Sequence, residues 1–511
     1  MMPADDSPPV RAPAAQRVAK AWAADEARRR LSDLARSRGR PTYLVGGAVR
    51  DVLLGRKVGD WDLAGHGAVD LARAFAHEQG CRLVMMHEDL PTARVIIEPG
   101  VAGAFLDFVE LRAPTIEDDL RARDFTINAI AWDIRGARSL IDPTGGAPDL
   151  THELVRTPSR TCLAADPLRC LRAFRLVAEL GFSLEQDTAQ WVTQLAPRVQ
   201  EVAGSRVGQE LLKLFAARHC ADAVQLAEDL AVLEAFIPPV AEMRGVTQGG
   251  YHHLDVLGHS LLTLHEVGRI ISEPGKVFPS AGGAVRDYLA HDHRRSALRL
   301  AGLLHDLGKP ACRTVEEDGR IRFLGHAEEG ARIISRLARS WALPAVVRNA
   351  VATMTRLHLR PLQLVNAAMR GGGRPRPPQK PSAGGKLPEH AITLTAIRRL
   401  MREAEPDGIG LMLLAAADRS ACRGPSSDFA HRRQVMEMLD GMLTRYLTWQ
   451  REQRRAPRLL DGDELMAELG LEPGPLVGDL LDAIAEAQAD GHISTREQAL
   501  DLARRALAGG E

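Results

Sequence analysis

Residues 43–63 read Tyr43-Leu44-Val45-Gly46-Gly47-Ala48-Val49-Arg50-Asp51-Val52-Leu53-Leu54-Gly55-Arg56-Lys57-Val58-Gly59-Asp60-Trp61-Asp62-Leu63. A short apolar strand, Tyr43–Val45, runs into Gly46-Gly47, then a helix-like segment, then Asp60-Trp61-Asp62. A glycine pair after a strand lets backbone N–H groups approach an anion, because no Cβ stands in the way. Carboxylates one residue apart on a strand point to the same face, since side chains alternate with period two. That pairing suits a divalent metal held against phosphate oxygens. Singly, an Asp-x-Asp is most often a solvated loop and a Gly-Gly a turn. In this order and this close together, they point to nucleotidyl transfer.

The whole chain sets bounds on that reading. Its 511 residues imply about two to four domains. Apolar residues make up 45% and charged residues 26%, as in ordinary globular proteins. Aromatics are only 4%, which favours helices packed by small and aliphatic side chains. Net charge is zero, so any nucleic-acid site must be a local basic patch. The six cysteines (Cys81, Cys162, Cys170, Cys220, Cys312, Cys422) show no Cys-x-x-Cys spacing. That suggests neither a zinc ribbon nor a disulfide framework, and fits a reducing cytoplasm. The opening Met-Met-Pro-Ala-Asp-Asp-Ser-Pro-Pro-Val carries no apolar leader, and no run is long enough to cross a membrane.

The strand, glycine pair, helix and Asp-x-Asp resemble the core of the polymerase β-like nucleotidyltransferases. Leu44-Val45-Gly46-Gly47-Ala48-Val49-Arg50-Asp51 is similar to the form seen in the bacterial class II tRNA nucleotidyltransferase and poly(A) polymerase family. The resemblance implies an α+β, mostly α fold: a nucleotidyltransferase head with a small mixed sheet, a helical neck and body, an HD domain and a helical tail. Residues 1–30 read as a disordered or helical lead-in, with a continuous helix expected from Arg17 to Arg38 and disorder to about Ala15. The head is placed at 31–150, the neck at 151–245, the HD domain at 246–427 and the tail at 428–511.

Within the head, a helix is expected over Val69–Gly80, with strands over Arg82–Met86, Ala93–Glu98 and Phe105–Arg112. The last strand carries Asp107 and Glu110. Two-metal nucleotidyl transfer commonly draws a third carboxylate from an adjacent strand. Asp107 matches the acidic residue of the family's pattern, and Glu110, on the opposite face of a regular strand, is the second choice. The block Asp118-Asp119-Leu120-Arg121-Ala122-Arg123-Asp124-Phe125-Thr126-Ile127-Asn128-Ala129 resembles the family's "DLxRRDFTINA", with Ala122 in place of the first paired arginine. By that resemblance Arg123, Asp124 and Asn128 hold the nucleotide's sugar and triphosphate. Asp60 and Asp62 would hold two Mg²⁺ ions, Gly46 and Gly47 would grip phosphate, and Arg50 would add positive charge.

Past Leu154 the pattern turns helical. Ala165-Asp166-Pro167-Leu168-Arg169-Cys170-Leu171-Arg172-Ala173-Phe174-Arg175 resembles "EDPxRxLRAxRF", with Ala165 where Glu is usual. The resemblance gives Asp166 and Arg169 the base edge of ATP or CTP. Arg172 and Arg175 fall on the same helix side and extend the nucleotide or RNA surface, alongside Arg156 and Arg160; an exposed arginine stripe is the plainer alternative. Gly204 to Leu214 resembles "ERxxxELxKLL", with Ser205 for Glu, and reads as an amphipathic neck helix whose Arg206 and Lys213 face RNA.

Further on, His259, His305-Asp306, His326, His358 and Asp418 lie in separate helical segments, with Leu307-Gly308-Lys309 after the His-Asp pair. Imidazole and carboxylate from several helices suit a divalent transition metal, Mg²⁺ or Mn²⁺. The set resembles the HD phosphohydrolase superfamily: His259, His305, Asp306 and Asp418 as its four ligands, His326 and His358 as the extra histidines of two-metal members. Lys309 would meet a phosphate of a phosphomonoester or cyclic phosphodiester. The Gly/Pro-rich stretch from Gly371 to Gly385 reads as a flexible excursion. The tail, with Tyr446 and Trp449 in a basic run, resembles a tRNA-contacting module or, equally, a solvated amphipathic helix.

The implied activity is addition of C, C and A to tRNA 3′ ends from CTP and ATP, with pyrophosphate released. The expected partners are tRNA, ATP and CTP, with no DNA and no membrane. Rival readings are a poly(A) polymerase, an enzyme adding only C or only A, and an HD phosphohydrolase whose N-terminal half merely binds RNA.

Overall fold

The computed structural model describes residues 14–87, 91–97, 105–249, 253–370, 392–424, 428–455, 459–489 and 492–508. The chain divides into two compact units, Met1–Ala241 with Leu337–Leu343, and Glu242–Arg336 with Pro344–Glu511.

The first unit opens with two helices rather than the single one expected over Arg17–Arg38. They span Ala14–Trp22 and Glu26–Ser37, and Asp25 caps the second by accepting from Arg28 N at 3.0 Å. An aspartate that satisfies an orphan amide is a start signal, and here it outweighs the continuous helical pattern. The disorder expected before Ala15 falls outside the described residues, apart from Ala14 and Ala15, which are helical.

A six-stranded mixed sheet follows, formed by β1 (Tyr43–Val45), β2 (Trp61–Gly65), β3 (Arg82–His87), β4 (Thr92–Ile96), β5 (Phe105–Glu110) and β6 (Ala131–Asp133). Their spatial order is β3-β4-β5-β2-β1-β6. Only β2 and β5 run parallel, in a register that sets Asp62 opposite Asp107. Leu44, Leu63, Phe75, Leu106 and Phe108 are fully buried, so the helix Ala68–Gln79 and the inner sheet face share one core. The helix Gly47–Leu53 leaves the end of β1, and Gly46 stands before it at φ +73°. That left-handed backbone costs a residue with a Cβ about 1–2 kcal/mol.

The neck is built on the packed helices Leu168–Leu180 and Gly204–Ala216. It is not wholly helical: Leu154–Val155 pairs in parallel with Ser183–Leu184. In the second unit, helices Val256–Ser272, Asp292–Leu304, Ala345–Leu357 and Gly408–Ala421 pack on one another. Nearly every side chain of Gly408–Ala421 is buried, because its Leu-Met-Leu-Leu-Ala-Ala-Ala run offers no polar face. A hairpin, Arg313–Val315 with Ile321–Phe323, interrupts the helices. The tail helices Gly462–Leu469, Pro475–Ala489 and Arg496–Ala508 share a small core around Leu465, Leu480, Ile484 and Ala499. The Gly371–Gly385 excursion lies outside the described residues. No described helix is long and apolar enough to cross a membrane.

Candidate active site and metal centre

At the head, Asp62 comes from β2 and Asp107 from β5, directly opposite each other in register. Asp60 lies one residue before β2 begins and is exposed. Burial, then the neighbouring negative charges of Asp107 and Asp60, push the Asp62 carboxyl up to about 6. Like charges gathered on a partly desolvated strand end are short of a cation. Part of that charge is met by Arg94, whose Nε and Nη2 donate to Asp107 Oδ1 and Oδ2, both at 2.7 Å. Its guanidinium carbon also lies 4.0 Å from the centre of the Phe105 ring. Acidic oxygens and an under-neutralised charge fit a hard divalent ion such as Mg²⁺.

The glycine turn closes on this group. A Cβ at Gly46 would sit 3.4 Å from Arg123 Nη1 and 3.7 Å from Asp62 Oδ2, so the turn, Arg123 and Asp62 border the same space. Arg123 donates from Nε to Asp119 Oδ2 at 3.1 Å. Arg50 does not project freely: it is buried, pairs with Asp51 at 2.9 Å and donates to Asn128 Oδ1 at 2.7 Å. It therefore ties the glycine helix to the Thr126–Asn128 turn. Asp124 accepts from Phe125 N at 2.8 Å and from Arg172 Nη1 at 3.0 Å. Burial alone would raise its pKa, but Arg172, Arg169 and the Phe125 amide together offset this and hold it low.

In the neck, the three arginines do not form an open stripe. Arg169 donates to the carbonyls of Ala122 and Cys162 at 3.1 and 3.0 Å. Arg172 and Arg175 both turn to Glu210, at 3.1 and 2.6 Å, and Arg175 also pairs with Glu179 at 2.8 Å. Arg156 pairs with Asp149. Asp166 accepts from Arg206 Nη2 at 2.7 Å and from Leu168 N at 3.3 Å. Glu210 is buried, so Glu210→Ala leaves two guanidinium groups without their shared partner. That change is expected to cost about 2–4 kcal/mol and to lower the Tm of this half by roughly 5–10 °C, read by calorimetry.

Glu110 drops out as the alternative third carboxylate. Its two oxygens accept from Gly67 N at 2.8 Å and Val69 N at 3.0 Å, capping the helix Ala68–Gln79 on the other side of the strand.

The second unit carries a buried histidine–aspartate cluster. His259, His305 and Asp418 form one group whose donor atoms lie within 4.8 Å of one another, and Asp306, His326 and His358 form another. Asp306 joins the two: Oδ2 is 3.1 Å from His305 Nε2, and Oδ1 is 3.4 Å from His326 Nε2 and 3.7 Å from His358 Nε2. His259 Nε2 is 3.0 Å from Asp418 Oδ1. The second nitrogens are committed elsewhere. Nδ1 of His305, His326 and His358 donates to the carbonyls of Gly302, Phe323 and Thr355 at 3.0, 2.7 and 2.7 Å. A carbonyl only accepts, so each Nδ1 carries a proton and each Nε2 faces the cluster, the orientation of metal-ligating histidines. Burial and the neighbouring His305 push His358 down to about 4, which keeps it neutral. His305 Nε2 and Asp306 Oδ1 are buried without a well-formed hydrogen-bond partner. Orphaned donor atoms of this kind fit a divalent ion. Lys309 Nζ lies 2.6 Å from both Asp306 Oδ2 and Gln248 Oε1.

Gly308 makes the approach of His326 possible. A Cβ there would stand 2.1 Å from the His326 carbonyl oxygen and 2.6 Å from Gly330 N, both backbone atoms. Gly308→Ala is expected to push His326 off Asp306 and reduce the metal bound per chain several-fold, measured by elemental analysis of the purified protein.

Comparison with known proteins fits these two centres. The family model described as the poly A polymerase head domain matches residues 42–156, that of a probable RNA and SrmB-binding site of polymerase A matches 181–243, and the HD domain model matches 256–421. The A-adding tRNA nucleotidyltransferase of Deinococcus radiodurans is 37% identical over 469 residues, which is 90% of this chain and 94% of that one. The chain belongs to the tRNA nucleotidyltransferase family. A CC-adding tRNA nucleotidyltransferase of Thermus thermophilus is 33% identical over 89% of this nucleotidyltransferase and 92% of its own length. A Thermotoga maritima CCA-adding enzyme, solved with tRNA, shares the fold at a TM-score of 0.57 and 19% identity, over 96% of this chain and 98% of the other.

Several residues of this nucleotidyltransferase escaped the sequence reading. Arg94 sits on Asp107 because β4 and β5 pair in register, a contact with no local signal. Glu210 was legible only as part of an amphipathic helix. Tyr446 and Trp449, which the basic run did single out, lie tilted with ring centres 5.8 Å apart, and Arg398 lies 4.2 Å from the Trp449 ring, so the pair is engaged within its own unit.

Proposed function

We propose that this chain builds the CCA end of tRNA, using CTP and ATP, in the reducing cytoplasm. The observation that carries the reading is Asp62 beside the Gly46 turn and Arg123, with Asp107 opposite it in register. The 3′-hydroxyl oxygen of the RNA forms a bond to the α-phosphorus, the α–β bridging P–O bond breaks, the hydroxyl proton is released and pyrophosphate leaves. Mg²⁺ held by Asp60 and Asp62, with Asp107 in support, would stabilise charge on the phosphates and lower the pKa of the attacking hydroxyl. The chain's own residues do the rest. Gly46 and Gly47 offer close backbone to the triphosphate, with Arg123 beside them. Asp124 and Asn128, oriented by Arg172 and Arg50, border the sugar. Asp166 and Arg169 are assigned the base edge, although in the free chain Arg206 and the Ala122 and Cys162 carbonyls occupy them.

A narrower reading, addition of A alone, has its own support. Three relatives that each match about nine-tenths of the chain are named A-adding or CC-adding, and the A-adding one, at 37% identity, is more similar than the two CC-adding ones, at 33% and 31%. One assay separates these readings: tRNA transcripts lacking CCA, ending in C or ending in CC, each incubated with one labelled nucleotide at a time. Ordered addition of C, C and A supports the broad reading, and A on the CC-ending transcript alone supports the narrow one. A long A tract indicates a poly(A) polymerase, and no incorporation overturns both.

For the second unit we propose a metal-dependent phosphohydrolase, supported by the two donor groups bridged by Asp306 and by Lys309 at their edge. A divalent transition metal, Mg²⁺ or Mn²⁺ would supply an activated water there. Release of phosphate from p-nitrophenyl phosphate, or opening of a 2′,3′-cyclic nucleotide, is the expected result. Failure with both substrates under every one of these metals would sink it.

A further inference from the structure

The two lead-in helices precede the residues matched by the head model, which begin at 42. Their side chains nonetheless converge on the strand that carries Asp62. Trp61 stands between Asp60 and Asp62 and, by strand alternation, points to the face opposite Asp62. There it meets Trp22 edge to face, with ring centres 5.6 Å apart. Both indoles are buried, at 2% and 6% exposure for Trp22 and Trp61.

Arg28 closes the arrangement. Its guanidinium carbon lies 4.2 Å from the Trp61 ring centre and 5.9 Å from that of Trp22. The group is held in place by donating from Nε to the Trp22 carbonyl at 2.9 Å, and burial lowers its pKa. Trp22 in turn donates from Nε1 to Ser32 Oγ at 2.9 Å, which locks its ring. The first helix also reaches the glycine helix, since Arg17 Nη1 donates to Leu53 O at 2.9 Å. So the lead-in grips both elements that define the head site: the strand with the carboxylates and the helix behind Gly46-Gly47. Arg28 belongs to a run of arginines, yet Arg29 and Arg30 are exposed while Arg28 is inserted.

We infer that Trp22 and Arg28 are positioning residues, forming a rigid brace that sets the place of Asp60 and Asp62 through Trp61. The inference rests on the reading of Asp60 and Asp62 as metal-holding residues. A flat guanidinium on an indole and a T-shaped indole pair both demand fixed geometry, so they define position where a plain aliphatic contact would only exclude water. Metal-site carboxylates need placement to about 0.5 Å, and misplacement by about 1 Å costs on the order of 100-fold in rate.

Terbium(III) tests this in the full chain carrying Asp306→Asn, which disables the second metal centre, because an indole beside a bound lanthanide sensitises its emission. Asp62→Asn first tests the site itself: if the tryptophan-sensitised signal is unchanged, the metal reading fails. Given loss of signal in Asp62→Asn, Trp22→Ala and Arg28→Met are expected to bind terbium about tenfold more weakly. They should also lower kcat for nucleotide addition about tenfold, with KM for tRNA unchanged. Trp22→Phe, which keeps an aromatic edge, should restore most of both, whereas Arg28→Lys, without a planar group, should not. Arg28→Met keeps the apolar stem, so it stays informative if Trp22→Ala fails to fold. Wild-type terbium affinity and kcat in Arg28→Met would overturn the brace, as would an effect confined to the KM for tRNA.

Discussion

Asp62→Ala is expected to reduce nucleotide incorporation by about 10³-fold or more while leaving the head folded. Burial and the neighbouring Asp107 together resist the charge of Asp62 and push its carboxyl up to about 6. Removing it relieves that repulsion, so the apparent melting temperature should stay level or rise even as activity disappears. Asp62→Asn keeps the shape and should be equally inactive, which separates loss of charge from loss of packing. The measurement is single-turnover incorporation of labelled nucleotide into a tRNA transcript, beside a calorimetric scan. Retained incorporation in both variants would remove the nucleotidyltransfer reading of this site. A parallel fall in stability and activity would instead mean that Asp62 is structural.

The second large effect is expected at Asp306. Its two oxygens face the two donor groups, so Asp306→Asn removes one of the cluster's two carboxylate charges, and the only one in the group with His326 and His358. Lys309 at 2.6 Å then loses its counter-charge. The metal affinity of the second unit should fall by at least about 100-fold, and hydrolysis of p-nitrophenyl phosphate should fall with it. The head residues belong to the other compact unit, so tRNA extension should persist. Elemental analysis and the two assays, run on one preparation, decide the matter. Wild-type metal content in Asp306→Asn would show that the cluster is only a satisfied polar core.

Much of the head was legible because its signals are local. Gly46-Gly47 after an apolar strand, and Asp60 and Asp62 around Trp61, sit inside one short stretch whose period fixes which side chains share a face. The histidine cluster was readable for a different reason: an adjacent His-Asp followed by Leu-Gly-Lys is rare enough to flag, and its distant partners are themselves unusual on apolar helices. What the sequence hid depends on partners far along the chain. Arg172 and Arg175 have helical spacing that suits a surface stripe, and only the position of Glu210, 38 and 35 residues away, turns them inward. Likewise Asp107 and Glu110 are equivalent by composition. The sheet separates them, setting one beside Asp62 and the other beneath a helix N-terminus. The break at Asp25 was a readable signal overridden by helical periodicity on both sides of it.

The pairing of β2 with β5 also constrains how this head can change over time. The register runs unbroken from Trp61 opposite Leu106 to Gly65 opposite Glu110. Connections outside those strands can lengthen or shorten without moving Asp62 away from Asp107. A single residue inserted within β5 ahead of Asp107 would swing its carboxylate to the helix side and leave an apolar neighbour opposite Asp62. Length drift is therefore free in the loops and forbidden in five consecutive positions of each strand, so gaps in related heads should avoid Trp61–Gly65 and Leu106–Glu110.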